Sequence, residues 1–472
     1  MKTGKYSTLG KNLLLFTISS FGSKVISFLL VPLYTAVLST SDYGSLDLVT
    51  TTVQLLIPLM TLNIQDAVLR FALDKEYNKQ DVLKVSSRIN LLAGSILGIV
   101  LIMIHLGGII EGNSYYLIFL FGQYLFGAIC NTLQMYMKAK DKVAILTIGG
   151  IGNTFIAGVL NILLLLVFKF GVNGYMIANS AGLIAFDIFV WFAGGANKDF
   201  REGRVRRVLF RVMIKYSSPL IVSSLAWWIN SASDRYVLTA FKGTAENGLY
   251  SVAYKIPTIL STITGIFYNA WSVSAIAEFD KEDTDGFIGN TFSVYSTLSV
   301  VVCSIVMLFN IPLARLLYAK DFYNAWRFVP FLLVGTAFNG LALFEGCIFG
   351  AVKQTKSLSK TTLMGAIVNT LLNFVLIYYF GAIGAAIATM VGYIVSFIAR
   401  TYLLGGIVKM KTSWNKHYIC YSLLVFQSIV SLNKDGWKVG LVISIMIFAI
   451  YRKYIKLLIH KIICRTGVKT NH

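Results

Sequence analysis

The sequence predicts an all-α membrane protein of about 14 transmembrane helices, arranged as two pseudo-symmetric six-helix lobes plus a C-terminal helix pair. Three observations predict it. Of 472 residues 56% are hydrophobic and 13% charged, where a soluble domain carries roughly a quarter charged. Apolar runs long enough to cross a bilayer core, about 20 residues as helix, recur along the whole chain. The chain also repeats itself. The stretch LYTAVLSTSDYGSLDL carries Gly44 and RYVLTAFKGTAENGLYSV carries Gly248, an offset of 204 residues, while the turn Gly171–Gly174 returns as Gly381–Gly384 after 210. A duplicated six-segment unit accounts for both offsets, and doubled units of apolar segments characterise transporters.

Taken in order, the spans fall near 13–38, 44–66, 84–110, 115–137, 143–168, 172–195, 212–240, 246–272, 288–312, 324–351, 358–380, 382–407, 416–432 and 437–458. The N-terminal lobe is expected over 1–195, a cytoplasmic inter-lobe loop over 196–211, and the C-terminal lobe over 212–407. An accessory pair of spans with a basic tail fills 408–472 and has no counterpart in the repeat. The basic start MKTGKYSTLGK resembles a signal peptide, but the apolar run after it is too long and lacks a small-residue cleavage site, so it is expected to remain as the first span. Pro32, Pro58, Pro219 and Pro257 fall in spans one, two, seven and eight, which correspond in the two halves. A proline removes a ladder hydrogen bond and kinks a helix, so these are the spans expected to bend.

Charge sets the orientation. With the N-terminus inside, 31 of the 42 basic residues lie on the inner side and six on the outer. This asymmetry puts both termini in the cytoplasm. The loop 273–287 falls on the inner side although it is acidic. Basic residues placed between apolar runs are explained by membrane orientation, so no nucleic-acid partner is expected. The cysteines Cys130, Cys303, Cys347, Cys420 and Cys464 are scattered without a CxxC pair, and His105, His417, His460 and His472 lack ligand spacing. Neither a metal site nor another cofactor is expected. No loop exceeds about 20 residues, which leaves no soluble domain for an active site and points away from an enzyme.

Ionisable groups at membrane depth must face a cavity or a partner. Lys24 lies about eleven residues into span one, on a face with Ser20, Ser23 and Ser27. That stripe suits a hydrated cavity that meets an anion; a structural pair with a carboxylate is the other reading. Span seven carries a similar stripe of Ser223, Trp227, Asn230 and Asp234, with Arg235 beside it, and here interhelical pairing is as good an account. Lys255 adds a third cation in span eight. Asp187 in span six and Glu345 in span ten stand in apolar surroundings. An acid so placed either exchanges a proton or a sodium ion, coupling transport to a gradient, or pairs with a cation such as Arg400 or Lys24. Asn153, Ala157 and Asn161 in span five, like Asn369 and Asn373 in span eleven, form small polar faces suited to helix packing.

The order of several short motifs resembles the polysaccharide, or O-antigen repeat-unit, flippase family of the multidrug/oligosaccharidyl-lipid/polysaccharide superfamily. They are FGSKVISFLLVPLYTAVLSTSDYG at 21–44, AVLRF at 67–71, KYSSPL at 215–220, SDRYVL at 233–238, ENGLYSVAYKI at 246–256 and GAIGAAIATMVGY at 381–393. Where the family usually has a basic residue after PLYT, this chain has Ala36, so the resemblance carries no cation to that position. It implies a two-lobed helical carrier that moves a polyprenyl-pyrophosphate-linked oligosaccharide across a bacterial inner membrane by alternating access, for O-antigen, capsule or exopolysaccharide synthesis. Membrane lipids and the polysaccharide polymerase and chain-length machinery are the partners it implies. An anionic headgroup needs cations in a hydrated cavity, and Lys24, Arg235 and Lys255 would supply them, with Ser20, Ser27 and Asp234 alongside. Two alternatives remain at this stage. A cation-coupled multidrug antiporter of the same superfamily would favour an acid-rich cavity, and a membrane glycan polymerase or ligase would present a large outer loop.

Overall fold

Among the residues that the computed structural model describes, 21–108, 115–277, 279–352 and 354–465, all regular structure is helical and no strand occurs. Each of the fourteen expected spans is met by a helix or by two helices joined at a break, from Phe21–Val37 to Trp437–Arg465, while the start of the first, 13–20, lies outside the described residues. Among the described residues eight helices are long and apolar enough to cross a membrane by themselves, and ten spans result if each of two bent pairs is one span. Phe21–Val37 is apolar but falls short of that measure in length, and Trp414–Val430, with 17 residues, is short as well and opens on polar residues. The chain divides into two compact units, Met1–Tyr236 and Val237–His472.

In the first unit Thr40–Met60 begins on a reciprocal cap, in which Ser39 Oγ accepts from the Asp42 backbone and the Asp42 carboxylate accepts from Ser39 N. Its partner Ile64–Leu73 is turned by 55° from it. Beyond that bend lies the main apolar core, where Ile64, Val68 and Phe71 meet Val82, Leu83, Leu133, Tyr136, Met137, Val190, Leu209 and Met213. The basic loops then close over one face of this core. Lys79 Nζ donates to Ala139 O at 3.1 Å, Lys84 Nζ to Phe200 O at 3.0 Å and Lys142 Nζ to Gly194 O at 2.7 Å. Arg206 pairs with the buried Asp81 at 2.7 Å, and Lys140 pairs with Asp199. The segment 196–211 thus folds as Ala196–Glu202 and the start of Arg207–Ser217, and is tied down on the first unit.

The repeat is visible in the packing. Spans five and six pack at Gly182, where a Cβ would come within 2.6 Å of Asn153 Oδ1 and 2.9 Å of Ala157 Cβ. Spans eleven and twelve pack at Gly392, where a Cβ would come within 2.7 Å of Asn369 Cβ. The two glycines are 210 residues apart, the offset of the Gly171 and Gly381 turns. Both polar faces expected in spans five and eleven therefore meet a glycine on the next helix, the small-residue approach by which helices associate in lipid.

In the second unit Val329–Ala351 is the innermost helix, with Phe331, Leu333, Val334, Leu341, Phe344 and Phe349 all buried. It packs against Pro257–Ala277, Phe287–Leu308, Ala382–Leu404 and Trp414–Val430. The accessory pair docks on Phe287–Leu308 through buried polar groups. His417 Nδ1 shares hydrogen bonds with Ser296 at 3.1 Å and Tyr451 OH at 2.8 Å, and Ser304 bonds both Gln427 Oε1 at 2.8 Å and Ser444 at 2.7 Å. Such satisfied networks in a low-dielectric interior fix one register of packing. The acidic loop is also accounted for. Asp283 accepts from the backbone of Ile288, Gly289 and Lys411, each at 2.9 Å, and Glu282 pairs with Lys409 at 2.9 Å. The loops around Asp283 and Lys411 are therefore on the same side of the membrane.

Candidate functional site

Lys24 lies on Phe21–Val37, is exposed on that helix, and has no carboxylate within 4.0 Å among the described residues. Ser23 and Ser27 are on the same helix, while Ser20 lies outside the described residues. Lys255 is half-buried at the break between Thr244–Ala253 and Pro257–Ala277, likewise with no ion pair among the described residues. Lys24 and Lys255, one in each unit, thus have no charged partner among the described residues.

Arg235 is placed differently. Its Nε meets Asp47 Oδ2 at 2.9 Å, its Nη1 meets Asp234 Oδ1 at 3.7 Å and donates to Ser231 O at 2.9 Å, and the side chains of Arg235 and Asp47 are 13% and 18% exposed. Two more bonds run alongside. Trp228 Nε1 donates to Thr51 O at 2.8 Å, and Tyr236 OH bonds Thr52 Oγ1 at 2.6 Å. Together these groups fasten span seven to span two within the first unit. Asp234 and Arg235 are therefore joined by Asp47, a residue absent from the expected set.

Asp187 is buried in Gly171–Ala193, and neither of its oxygens has a hydrogen-bond partner among the described residues. It lines a cavity of about 390 Å³ whose other polar walls are Ser87, Asn90 and Thr132. Asn90 Nδ2 donates to Thr132 Oγ1 at 2.8 Å and to Ala128 O at 3.3 Å, which leaves Asn90 Oδ1 unpartnered. A buried acceptor without a donor is costly. Three such oxygens in and around one cavity are what a proton or a small cation would satisfy.

Glu345 is also buried, but it is partly satisfied. Thr401 Oγ1 donates to its Oε1 at 2.7 Å, while Oε2 is unpartnered. Arg400 is committed elsewhere: Nε donates to Thr361 Oγ1 at 3.1 Å, Nη2 to Thr362 Oγ1 at 2.6 Å, and Nη1 to Ala342 O. No pair of Lys, Arg or His with Glu345 or Asp187 occurs within 4.0 Å among the described residues, and no group of three or more metal-ligating side chains occurs there. Sequence reasoning missed Asp47, Asn90 and Thr132. The only signal for them was an acid, an amide or a hydroxyl interrupting an apolar run.

Comparison with known proteins places these groups in a wider setting. A family model described as polysaccharide biosynthesis protein matches residues 9–271. The chain is 21% identical over 214 residues to the probable low-salt glycan biosynthesis flippase Agl15 of Haloferax volcanii, covering 44% of each. It is 25% identical over 228 residues to the membrane protein MJ1068 of Methanocaldococcus jannaschii, covering 46% of this chain and 42% of that one. The matches thus span under half the length of both curated relatives. Among solved structures, the lipid II flippase MurJ in its inward closed conformation superposes with a TM-score of 0.72 at 13% identity, over 95% of this chain and 100% of that one. An inward-facing multidrug resistance MATE family transporter of the MOP superfamily gives a TM-score of 0.64 at 15% identity, over 83% and 95%. At these identities the likeness to the solved structures is one of fold.

Proposed function

Because the chain belongs to the polysaccharide biosynthesis protein family, we propose that it is a flippase that carries a polyprenyl-pyrophosphate-linked oligosaccharide across the cytoplasmic membrane by alternating access. One observation supports this reading most. Lys24 and Lys255, one in each unit, are cations at membrane depth with no acid beside them, and an unpaired ammonium there needs an anion such as a pyrophosphate. The glycan relative and the lipid II flippase fold support the same substrate class.

Ion coupling is assigned to Asp187, whose cavity holds the unpartnered oxygens described above. Glu345 is the second candidate, with one oxygen occupied by Thr401. The face that carries Lys79, Lys140 and Arg206 is assigned to the cytoplasm, as is the loop around Asp283. A reporter fused within 280–285 is expected to read the cytoplasm; an external reading would invert the second unit. A polymerase and its chain-length machinery would take over the translocated unit.

The deciding experiment is depletion followed by analysis of lipid-linked glycans. Complete repeat units, protected from an external glycosidase, are expected to accumulate on the inner leaflet. Truncated units would mean that the chain acts in synthesis and is not the flippase.

A further inference from the structure

Spans two and seven are both broken, and the two breaks open on one groove inside the first unit. Thr40–Met60 turns by 55° into Ile64–Leu73, and Arg207–Ser217 turns by 41° into Leu220–Lys242. At the first break Leu62 and Asn63 take φ of 53° and 54°, the left-handed region that side chains other than glycine adopt at some cost. The second break carries Pro219, which has no N–H to continue the ladder. Irregular backbone at membrane depth is tolerated only where protein covers it or where it lines a water-filled cavity. Discontinuous helices are also where carriers build their binding sites.

The groove has a volume of about 400 Å³, and its lining includes Gln54, Gln65, Asp66, Asn131, Ser223 and Trp227. Several of these groups are uncommitted. Elsewhere in the same spans hydroxyls bond the carbonyl one turn back, as Thr51 does to Asp47 O at 2.8 Å and Ser231 does to Trp227 O at 2.9 Å. Ser223, Gln54 and Asn131 make no side-chain hydrogen bond among the described residues. Trp228 commits its indole N–H to Thr51 O, whereas Trp227 is 64% exposed and presents its ring at the groove.

The chemistry of this lining selects its ligand. No lysine or arginine lines the groove, and its one charged group, Asp66, holds Asn63 Nδ2 at 2.6 Å through Oδ2. A phosphate would therefore be repelled. Planar amides and a carboxylate bond pairs of adjacent hydroxyls well, and an exposed indole covers the C–H face of a sugar ring. The volume lies within the roughly 300–1,000 Å³ of small-molecule sites. We infer that this groove binds a sugar of the transported glycan, with Trp227 as its platform and Gln54, Gln65, Asp66 and Asn131 as its hydrogen-bonding rim. The inference rests on the flippase reading and adds to it a saccharide subsite separate from the lysines.

Titration of the full-length protein in nanodiscs with two lipids tests it. One is a polyprenyl pyrophosphate without sugar; the other is the glycan-bearing lipid extracted from cells that make it. The glycan-bearing lipid is expected to bind at least about tenfold more tightly, the worth of one or two hydrogen bonds. Trp227→Ala, and separately Gln54→Ala with Gln65→Ala, should bring its affinity down to that of the bare lipid, while bare-lipid binding is unchanged and reports a folded protein. Trp227→Phe should recover much of the preference. If the wild-type protein binds both lipids equally, or if the variants weaken both alike, the groove is no glycan subsite and Trp227 is an interfacial anchor, with the flippase reading intact. Binding of neither lipid would overturn that reading and the subsite with it.

Discussion

Export of the lipid-linked glycan is expected to fall by about ten- to a hundredfold in Lys24→Ala, with folded yield unchanged. The range follows from a charge-assisted hydrogen bond, worth about 1.5–3 kcal/mol. Folded yield should hold because no carboxylate lies within 4.0 Å of Lys24 among the described residues, so its removal orphans no acid. Lys24→Arg should keep much of the activity, since a point charge suffices for phosphate. Arg235→Ala is the contrast. That change leaves the buried Asp234 and the part-buried Asp47 without their cation, and breaking a buried pair costs up to about 3–5 kcal/mol, so it should lower the amount of folded protein. Lys24→Ala with full export would remove the phosphate role. A loss of folded Lys24→Ala, rescued by neutralising an acid, would make the lysine structural.

The distinction between Lys24 and Arg235 marks how far the chain could be read before folding. The spans were legible because a bilayer demands internally bonded helices of one minimum length, a constraint that leaves a run of apolar residues behind it. The glycines Gly182 and Gly392 were not singled out, although the polar faces they meet, Asn153 with Ala157 and Asn369, were. Pro219 announced the break in span seven. The break in span two was less visible, since it depends on left-handed Leu62 and Asn63, and Pro58 lies inside the helix a few residues before it. Partnerships across the chain were illegible. Asp47 and Arg235 meet at 2.9 Å across a separation that no periodicity encodes, and the isolated His417 proves to join Ser296 of Phe287–Leu308 to Tyr451 of the accessory pair.

Asp187→Asn is expected to abolish gradient-driven export while leaving substrate binding and folded yield intact or improved. The reasoning starts from what the side chain lacks. Neither carboxylate oxygen has a hydrogen-bond partner among the described residues, so an amide of the same shape breaks no bond to the protein. A buried carboxylate without a counter-ion is itself destabilising, by several kcal/mol when ionised, so no stability argument favours keeping the acid. An acid in a cavity with Asn90 Oδ1 and Thr132 Oγ1 is then explained by a cation or proton that comes and goes. Glu345→Gln provides the comparison, because a glutamine oxygen can still accept from Thr401. Proteoliposomes with an imposed proton or sodium gradient separate the outcomes: if Asp187 carries the ion, gradient-driven flipping stops in Asp187→Asn and persists in Glu345→Gln. The reverse pattern would move the coupling site to the second unit, and undiminished export by both variants would exclude both acids from coupling.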